Sequence, residues 1–313
     1  MTTCATVSWE LAEPPAATAA VARTWVLVEQ PGPWGAKALT GSRLDPEVGR
    51  ALESAAGGTG VRTALVRRPG RESGADRAPG SRRVVVAHTA PGRGWIREAV
   101  VDDPRDLLEL DLARLGAGHH DGFGTPHHGA PLALVCTNGR RDRCCALLGR
   151  PLAAGLAGTG LGDVWEVTHL GGHRFAPTML VLPYGYAYAR LAVADAERIL
   201  RAARDGRMVH RHCRGRSTWE RPGQAAELAV RGLTGEADAE ALTAGPPMPA
   251  DDGGWTVDVL HRDGRRWSVR VAREVSAPPR PESCGKAPGT PERMTVTSVR
   301  GQPPSLPREF PVP

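Results

Sequence analysis

Short apolar runs alternate with amphipathic stretches along most of this chain, and the changes of period fall at glycine, proline or aspartate. TWVLVE (24–29) is apolar between its ends, the pattern of a strand buried on both faces. It stops at the turn sequence QPGPWG. Asp45-Pro46 opens a helix that runs through Leu52 and stops at Gly57-Gly58, with proline at its first position. VRTALVRR (61–68) predicts the next strand, followed by a polar Gly- and Arg-rich loop over 69–82. VVVAHT (84–89) and WIREAVV (95–101) predict a strand pair, DPRDLLELDLARL (103–115) a helix, and 116–131 a linker. The pattern then restarts: a strand LALVC (132–136), a helix from about Arg143 to Leu156, and a strand VWEVTH (164–169). A hairpin over 178–191 turns at Pro183–Gly185, and helices follow over 193–206 and 223–233. Further on, 255–273 alternates and turns at Asp263-Gly264, a hairpin signal. MTVTSVR (294–300) reads as an edge strand, and the last dozen residues as disordered.

Both halves thus follow one order: strand, helix, strand, strand pair, helix. Even the glycine stops are alike, AAGGTGV (55–61) against LAGTGLG (156–162). The expected class is α/β with a thioredoxin-like fold, as two tandem thioredoxin-like units and a C-terminal β-hairpin extension. The expected division is 1–128, an N-terminal thioredoxin-like docking half with no Cys or His at positions matching those of the second half; 129–240, the thioredoxin-like unit that carries the chemistry; and 241–313, the hairpin and a Pro-rich tail.

Composition narrows the functional classes. Hydrophobic residues make up 41% of the 313, but aromatics only 4%, so aliphatic side chains must fill the core. There is no apolar run of membrane-spanning length, and the N-terminus MTTCATVSWELAEPP lacks the basic start and apolar stretch of a signal peptide. A cytoplasmic protein without membrane association is expected. The net charge of +6 rests on arginine, with only Lys37 and Lys286 as lysines. The arginines are scattered rather than gathered on one face, which argues against a nucleic-acid surface and suits an acidic protein partner equally well. The six cysteines, Cys4, Cys136, Cys144, Cys145, Cys213 and Cys284, are too few and too uneven for a secreted disulfide framework.

The strongest chemical signal is CTNGRRDRCC followed by HLGGH. Cys136 ends a predicted strand, and Cys145 lies near the start of the next helix, where unpaired N–H groups favour a thiolate. His169 ends the following strand, and His173 comes after a Leu-Gly-Gly loop whose glycines permit a tight turn. In a parallel β-α-β unit the two strand ends are neighbours, so these four side chains meet at one edge of the sheet.

The segments ALVCTNGRRDRCCALLGRPLAAGL, VWEVTHLGGHRFAPTMLVLPYGYAYARL and CRGRSTWERPGQAAE, with TWVLVEQPGPWG near the N-terminus, resemble the sucrase/ferredoxin-like family of thioredoxin-like ferredoxins. The resemblance runs from about Trp25 to Glu227. It implies a [2Fe–2S] cluster on a C-x8-C pair and an H-x3-H pair, which selects Cys136, Cys145, His169 and His173 and leaves Cys144 a spare thiol. It implies one-electron transfer to a redox partner protein rather than catalysis, and no paired carboxylates of a glycosidase stand out. Neutral imidazoles in place of two thiolates raise the potential above that of an all-cysteine ferredoxin and couple it to protons, so it falls as pH rises.

Arg141, Arg174, Arg214 and Arg216 lie in the matching segments and could offset cluster charge or dock an acidic partner; salt bridges at the surface are the plainer role. Asp142 is expected to cap the helix begun near Arg143. Two other chemistries fit the residues: a Cys2His2 structural zinc site, and a thiol–disulfide oxidoreductase, which lacks a C-x-x-C motif and would depend on the vicinal Cys144-Cys145. His119, His120, His127 and His128 read as loop residues, and His210, His212 and Cys213 as structural. Cys4 and Cys284 receive no role. GGTG (57–60) reads as a helix stop, and Trp25, Trp34 and Trp165 as core.

Overall fold

The computed structural model describes residues 3–70 and 81–302. A short helix, α1 (Cys4–Glu10), opens the chain, with the Thr3 hydroxyl accepting from Thr6 N–H at its start. No periodicity announces it. β1 (Thr24–Glu29) is buried throughout. α2 (Pro46–Ala56) follows, with the Asp45 carboxylate accepting from Glu47 N–H at 2.8 Å. β2 (Val61–Arg67) runs parallel to β1, and β3 (Arg82–His88) runs antiparallel on its other side. β4 (Trp95–Val101) pairs antiparallel with β3.

The helix expected over 103–115 is instead two short pieces. A 3-10 turn covers Pro104–Glu109 and α3 covers Leu112–Gly116. Asp111 breaks them apart, because its side chain accepts from Arg114 N–H and starts a new helix there. The expected linker contains a two-residue strand, β5 (Thr125–Pro126), beside β4.

The second half repeats the order. β6 (Leu132–Cys136) leads to α4 (Arg143–Ala157), and β7 (Asp163–Val167) runs parallel to β6. β8 (Thr178–Leu182) and β9 (Tyr186–Ala189) form the expected hairpin, with β8 antiparallel to β6. α5 (Val193–Arg204) follows. β10 (Cys213–Arg216), which the polar sequence CRGR does not suggest, pairs with β9. The halves join edge to edge where β2 meets β7 antiparallel, so the described residues form one ten-stranded sheet, β10-β9-β8-β6-β7-β2-β1-β3-β4-β5. Arg67 bridges this seam to Glu166 at 2.6 Å, and the Arg68 guanidinium lies 3.8 Å from the Trp165 ring centre.

Side chains alternate across the sheet. Trp25 and Leu27 pack with Leu134, Trp165 and Leu180 on one face, while Val26 and Val28 pack with Val48 and Leu52 of α2 on the other. Trp34 is also buried, so all three tryptophans are core residues as expected. α6 (Arg221–Thr234) then carries the chain to a smaller antiparallel sheet. Its strands are β11 (Leu242–Ala244), β12 (Met248–Pro249), β13 (Trp255–His261), β14 (Arg266–Val275) and β15 (Glu292–Gln302). β13 and β14 form the predicted hairpin, and β15 lies at the edge and is longer than the alternating run indicated. Ala226 and Val230 of α6 pack on Val257, Val259 and Val269 of this sheet. Most of the loop assigned to 69–82, and the tail read as disordered from 303 on, lie outside the described residues.

Candidate metal centre

β6 and β7 run side by side and end together, with Cys136 opposite Val167. This brings the last residue of β6 beside the loop that follows β7. β7 stops at Val167, so His169 belongs to that loop rather than to the strand. Gly171 and Gly172 both take positive φ, 74° and 69°, which turns the chain back within three residues and delivers His173 to the same place. On the other side, the Asp142 carboxylate accepts from Cys144 N–H at 2.9 Å and caps α4, as expected, and this sets Cys145 in the first turn. Gly149 holds α4 against β6: a Cβ there would strike the carbonyl oxygen of Cys136. Gly149→Ala is therefore expected to cost about 1–3 kcal/mol by overpacking, measured by urea unfolding.

Cys136 and Cys145 are buried, while His169 and His173 are half-buried. The Cys145 Sγ lies 3.4 Å from Nδ1 of His173. The two imidazoles stack, 4.6 Å between ring centres and 25° between planes. Cys136 interacts with the Cys145 thiol, with His169 and with Leu170 N–H. The Cys145 contact lowers the Cys136 pKa most, and His169 and Leu170 N–H add to it, so the thiol sits well below its ordinary range despite burial. Nδ1 of His169 is buried without a hydrogen-bond partner among the described residues, a costly state for a ring nitrogen. Burial, with His169 close by, pushes His173 down to about 4, which leaves a neutral imidazole with a lone pair at neutral pH. Two soft sulfurs and two imidazoles at one spot are a metal-binding donor set. Asp142, Cys145 and His173 also place ligand atoms within 4.8 Å of one another, so this corner can hold a metal.

The flanking arginines divide. Arg214 is fully buried and donates to Gly171 O and Thr18 Oγ1, each at 3.0 Å, bracing the histidine loop. Burial lowers its pKa to about 9, so it remains cationic at neutral pH. Arg174 is buried between Glu13 and Glu282, with 2.9 Å to each. Arg141 is exposed and lines both clefts that flank the histidines, one of about 580 Å³ beside His169 and one of about 800 Å³ beside His173. Arg216 departs from the expectation. Its partners are Thr89 O, Ala239 O and Glu240, so it ties the two halves of the chain together away from the four donors.

The polar spacing of the sequence does not single out Arg62. It comes from β2 in the first half and donates to the carbonyl of His169 at 3.1 Å. Cys144 and Cys145, though adjacent, point to different groups, as residues about 100° apart on a helix must. Cys145 faces His173, and Cys144 faces Cys4 and Cys284, at 3.5 and 3.3 Å between sulfurs. The linker histidines stay apart from this centre. His127 reaches Ala130 O at 3.1 Å, and His120 packs edge-on against Trp95. His119 and His128 are exposed. His210 reaches Leu228 O at 3.0 Å, and burial pushes the Cys213 thiol up to about 12.

A search of curated proteins and a search of solved structures each return no significant match. The sucrase/ferredoxin-like family model matches residues 15–215, more than half of the chain, and spans all four donors. With that match added to the convergence of its motifs at one edge of the sheet, the chain belongs to the sucrase/ferredoxin-like family.

Proposed function

We propose that this protein carries a [2Fe–2S] cluster on Cys136, Cys145, His169 and His173 and passes single electrons to and from a redox partner. The observation that carries the reading is the convergence of two buried thiols and two imidazoles, one of which has a buried nitrogen with no hydrogen-bond partner among the described residues. When bound, the cluster supplies reversible storage of one electron. The chain's own residues do the rest. The sulfurs are buried and the imidazoles reach toward solvent, so the histidine side is the path for electrons. Lys37, Arg62 and Arg141, against Glu53, line the cleft beside His169, and Arg141, Arg221 and Lys286, against Glu292 and the Arg174–Glu282 pair, line the one beside His173, so cations outnumber acids in both. This cationic rim favours an acidic partner surface.

The repeated strand–helix–strand–strand–strand order, with its parallel first pair, supports a reading of 1–128 and 129–240 as two thioredoxin-like units and 241–313 as an extension. In that reading the first unit is a docking and bracing copy, and Arg62 is its contribution to the centre. The opposed directions of Cys144 and Cys145 argue against a vicinal dithiol chemistry.

Imidazole ligands set a definite pH dependence. Loss of a proton from a coordinating imidazole adds negative charge to the oxidised state, which opposes uptake of an electron. The potential is expected to lie above about −400 mV, the value of plant-type all-cysteine ferredoxins. It should fall with rising pH, by up to about 59 mV per unit where one proton accompanies the electron. Protein-film voltammetry between about pH 6 and 10 measures this, and a flat potential across that range contradicts histidine ligation. Metal analysis separates the reading from its nearest rival: iron and sulfide in equal amounts support it, and stoichiometric zinc at the same four residues overturns it.

A further inference from the structure

Cys4, Cys144 and Cys284 are separated by 140 residues at each step, yet their sulfurs form a small triangle of 3.5, 3.3 and 3.6 Å. Cys4 and Cys144 are buried and Cys284 is half-buried. The Asp142 carboxylate completes the group, with all four ligand atoms within 4.8 Å of one another. We propose that this group is a second metal site, a structural zinc held by the thiolates of Cys4, Cys144 and Cys284 with Asp142 at the fourth corner.

The spacing decides between the possible uses of three close thiols. A tetrahedral zinc with bonds of about 2.3 Å sets its sulfurs about 3.8 Å apart. The observed edges lie slightly inside that value and are nearly equal. A disulfide needs about 2.05 Å between two sulfurs and leaves the third without a function, whereas here no pair is preferred. Thiolates on separate irons of a cluster would stand farther apart, so a single ion suits this triangle. Soft thiolates in a tetrahedral arrangement select zinc over magnesium or calcium.

The surroundings hold the ligands in place. Asp142 Oδ2 accepts from Ser283 Oγ and from Cys284 N–H, both at 2.8 Å. Its Oδ1 accepts from Cys144 N–H at 2.9 Å and, at 3.8 Å, from the Cys4 thiol, whose proton is lost when the thiolate binds a metal, which frees that lone pair for the ion. Behind the site, Glu13 pairs with Arg280 at 2.8 Å and with Arg174 at 2.9 Å, and Arg174 pairs with Glu282. These ion pairs bring the segment after α1 and the segment before β15 to the same corner as the start of α4. A zinc ion there would staple three distant stretches of chain next to Cys145, closing loops that are otherwise costly in entropy. The proposal does not rest on the identity of the metal at Cys136, Cys145, His169 and His173.

The test is metal analysis of the full-length protein, purified without chelators from a defined medium, together with zinc X-ray absorption. One zinc per chain with three sulfur neighbours and one oxygen neighbour is expected. The Cys4→Ser/Cys284→Ser variant should lose at least about nine tenths of that zinc and keep its metal and visible spectrum at the other centre. Should that variant fold poorly by near-ultraviolet circular dichroism, chelator treatment of the wild-type protein replaces it. Release of one zinc, detected with a colorimetric metal indicator, without change in the visible spectrum supports the proposal. Absence of zinc from the wild type, zinc undiminished in the double variant, or a disulfide joining two of the three cysteines overturns it. Zinc that is lost only on changing His169 and His173 overturns it too, and also overturns the iron–sulfur reading; the double variant separates the two failures.

Discussion

Cys136→Ser is expected to abolish the visible absorption of the purified protein and to leave less than about a tenth of the wild-type iron. Cys136 is the last residue of β6, fully buried, and in contact with both Cys145 and His169. Serine preserves the shape of the side chain and the strand register, but its hydroxyl stays protonated at neutral pH and is a poor ligand for iron. Loss of colour with an unchanged far-ultraviolet circular dichroism spectrum assigns the effect to ligation. Cys213→Ala is the control. Cys213 lies in β10, away from the four donors, and the variant should keep its colour. His169→Cys should keep a chromophore but lower the potential by hundreds of millivolts, because it exchanges a neutral ligand for an anionic one. A variant at Cys136 that retains full iron refutes the assigned ligand set.

The largest expected effect on stability lies elsewhere, in α6. Glu227 and Arg231 have fully buried side chains and pair at 3.0 Å one helical turn apart. Glu227 also accepts from the Tyr186 hydroxyl and, at 3.0 Å, from the Trp219 indole N–H. Arg231 reaches the Tyr186 hydroxyl at 2.7 Å and the carbonyls of Glu236 and Asp238. Removing one member leaves the other charge buried without its counter-ion, so Glu227→Ala should cost about 3–5 kcal/mol. Glu227→Gln keeps one carbonyl acceptor but sets an amide N–H₂ against another donor, and should cost about 1–3 kcal/mol. Urea unfolding with an unchanged slope checks both. An alanine variant within about 0.5 kcal/mol of wild type would mean that water reaches the network.

The same contrast between local and distant determinants explains how much was legible in the sequence. β1, β2, β6, β7 and both hairpins follow runs of apolar residues whose partners are dictated by burial alone, and α2 and α4 begin at aspartates that cap them. C-x8-C and H-x3-H are local spacings, so the end of β6, the first turn of α4 and the loop after β7 carry the four donors to one place. β10 carries no apolar signature because it is built from CRGR, and arginine runs normally face water. Here Arg214 and Arg216 are fully buried, held by backbone carbonyls of segments far along the chain and, for Arg216, by an ion pair with Glu240. The helix read over 103–115 broke at Asp111, where a side-chain cap outweighs a continuous apolar period. Cys4 and Cys284 had no local pattern at all. Only the packing of α1 and of the segment before β15 against α4 brings them to Cys144, and no spacing rule reaches across 140 residues. Arg62 was hidden for the same reason, since it reaches the histidine loop across the seam between β2 and β7.

The most direct test of the proposed cluster is the electron paramagnetic resonance spectrum of the dithionite-reduced protein at low temperature, with pulsed detection of nitrogen couplings. Ligation by His169 and His173 predicts a Rieske-like signal with an average g below that of all-cysteine ferredoxins and strong coupling to two imidazole nitrogens. A signal of all-cysteine type without nitrogen coupling, or a silent spectrum from an iron-free protein, would contradict it.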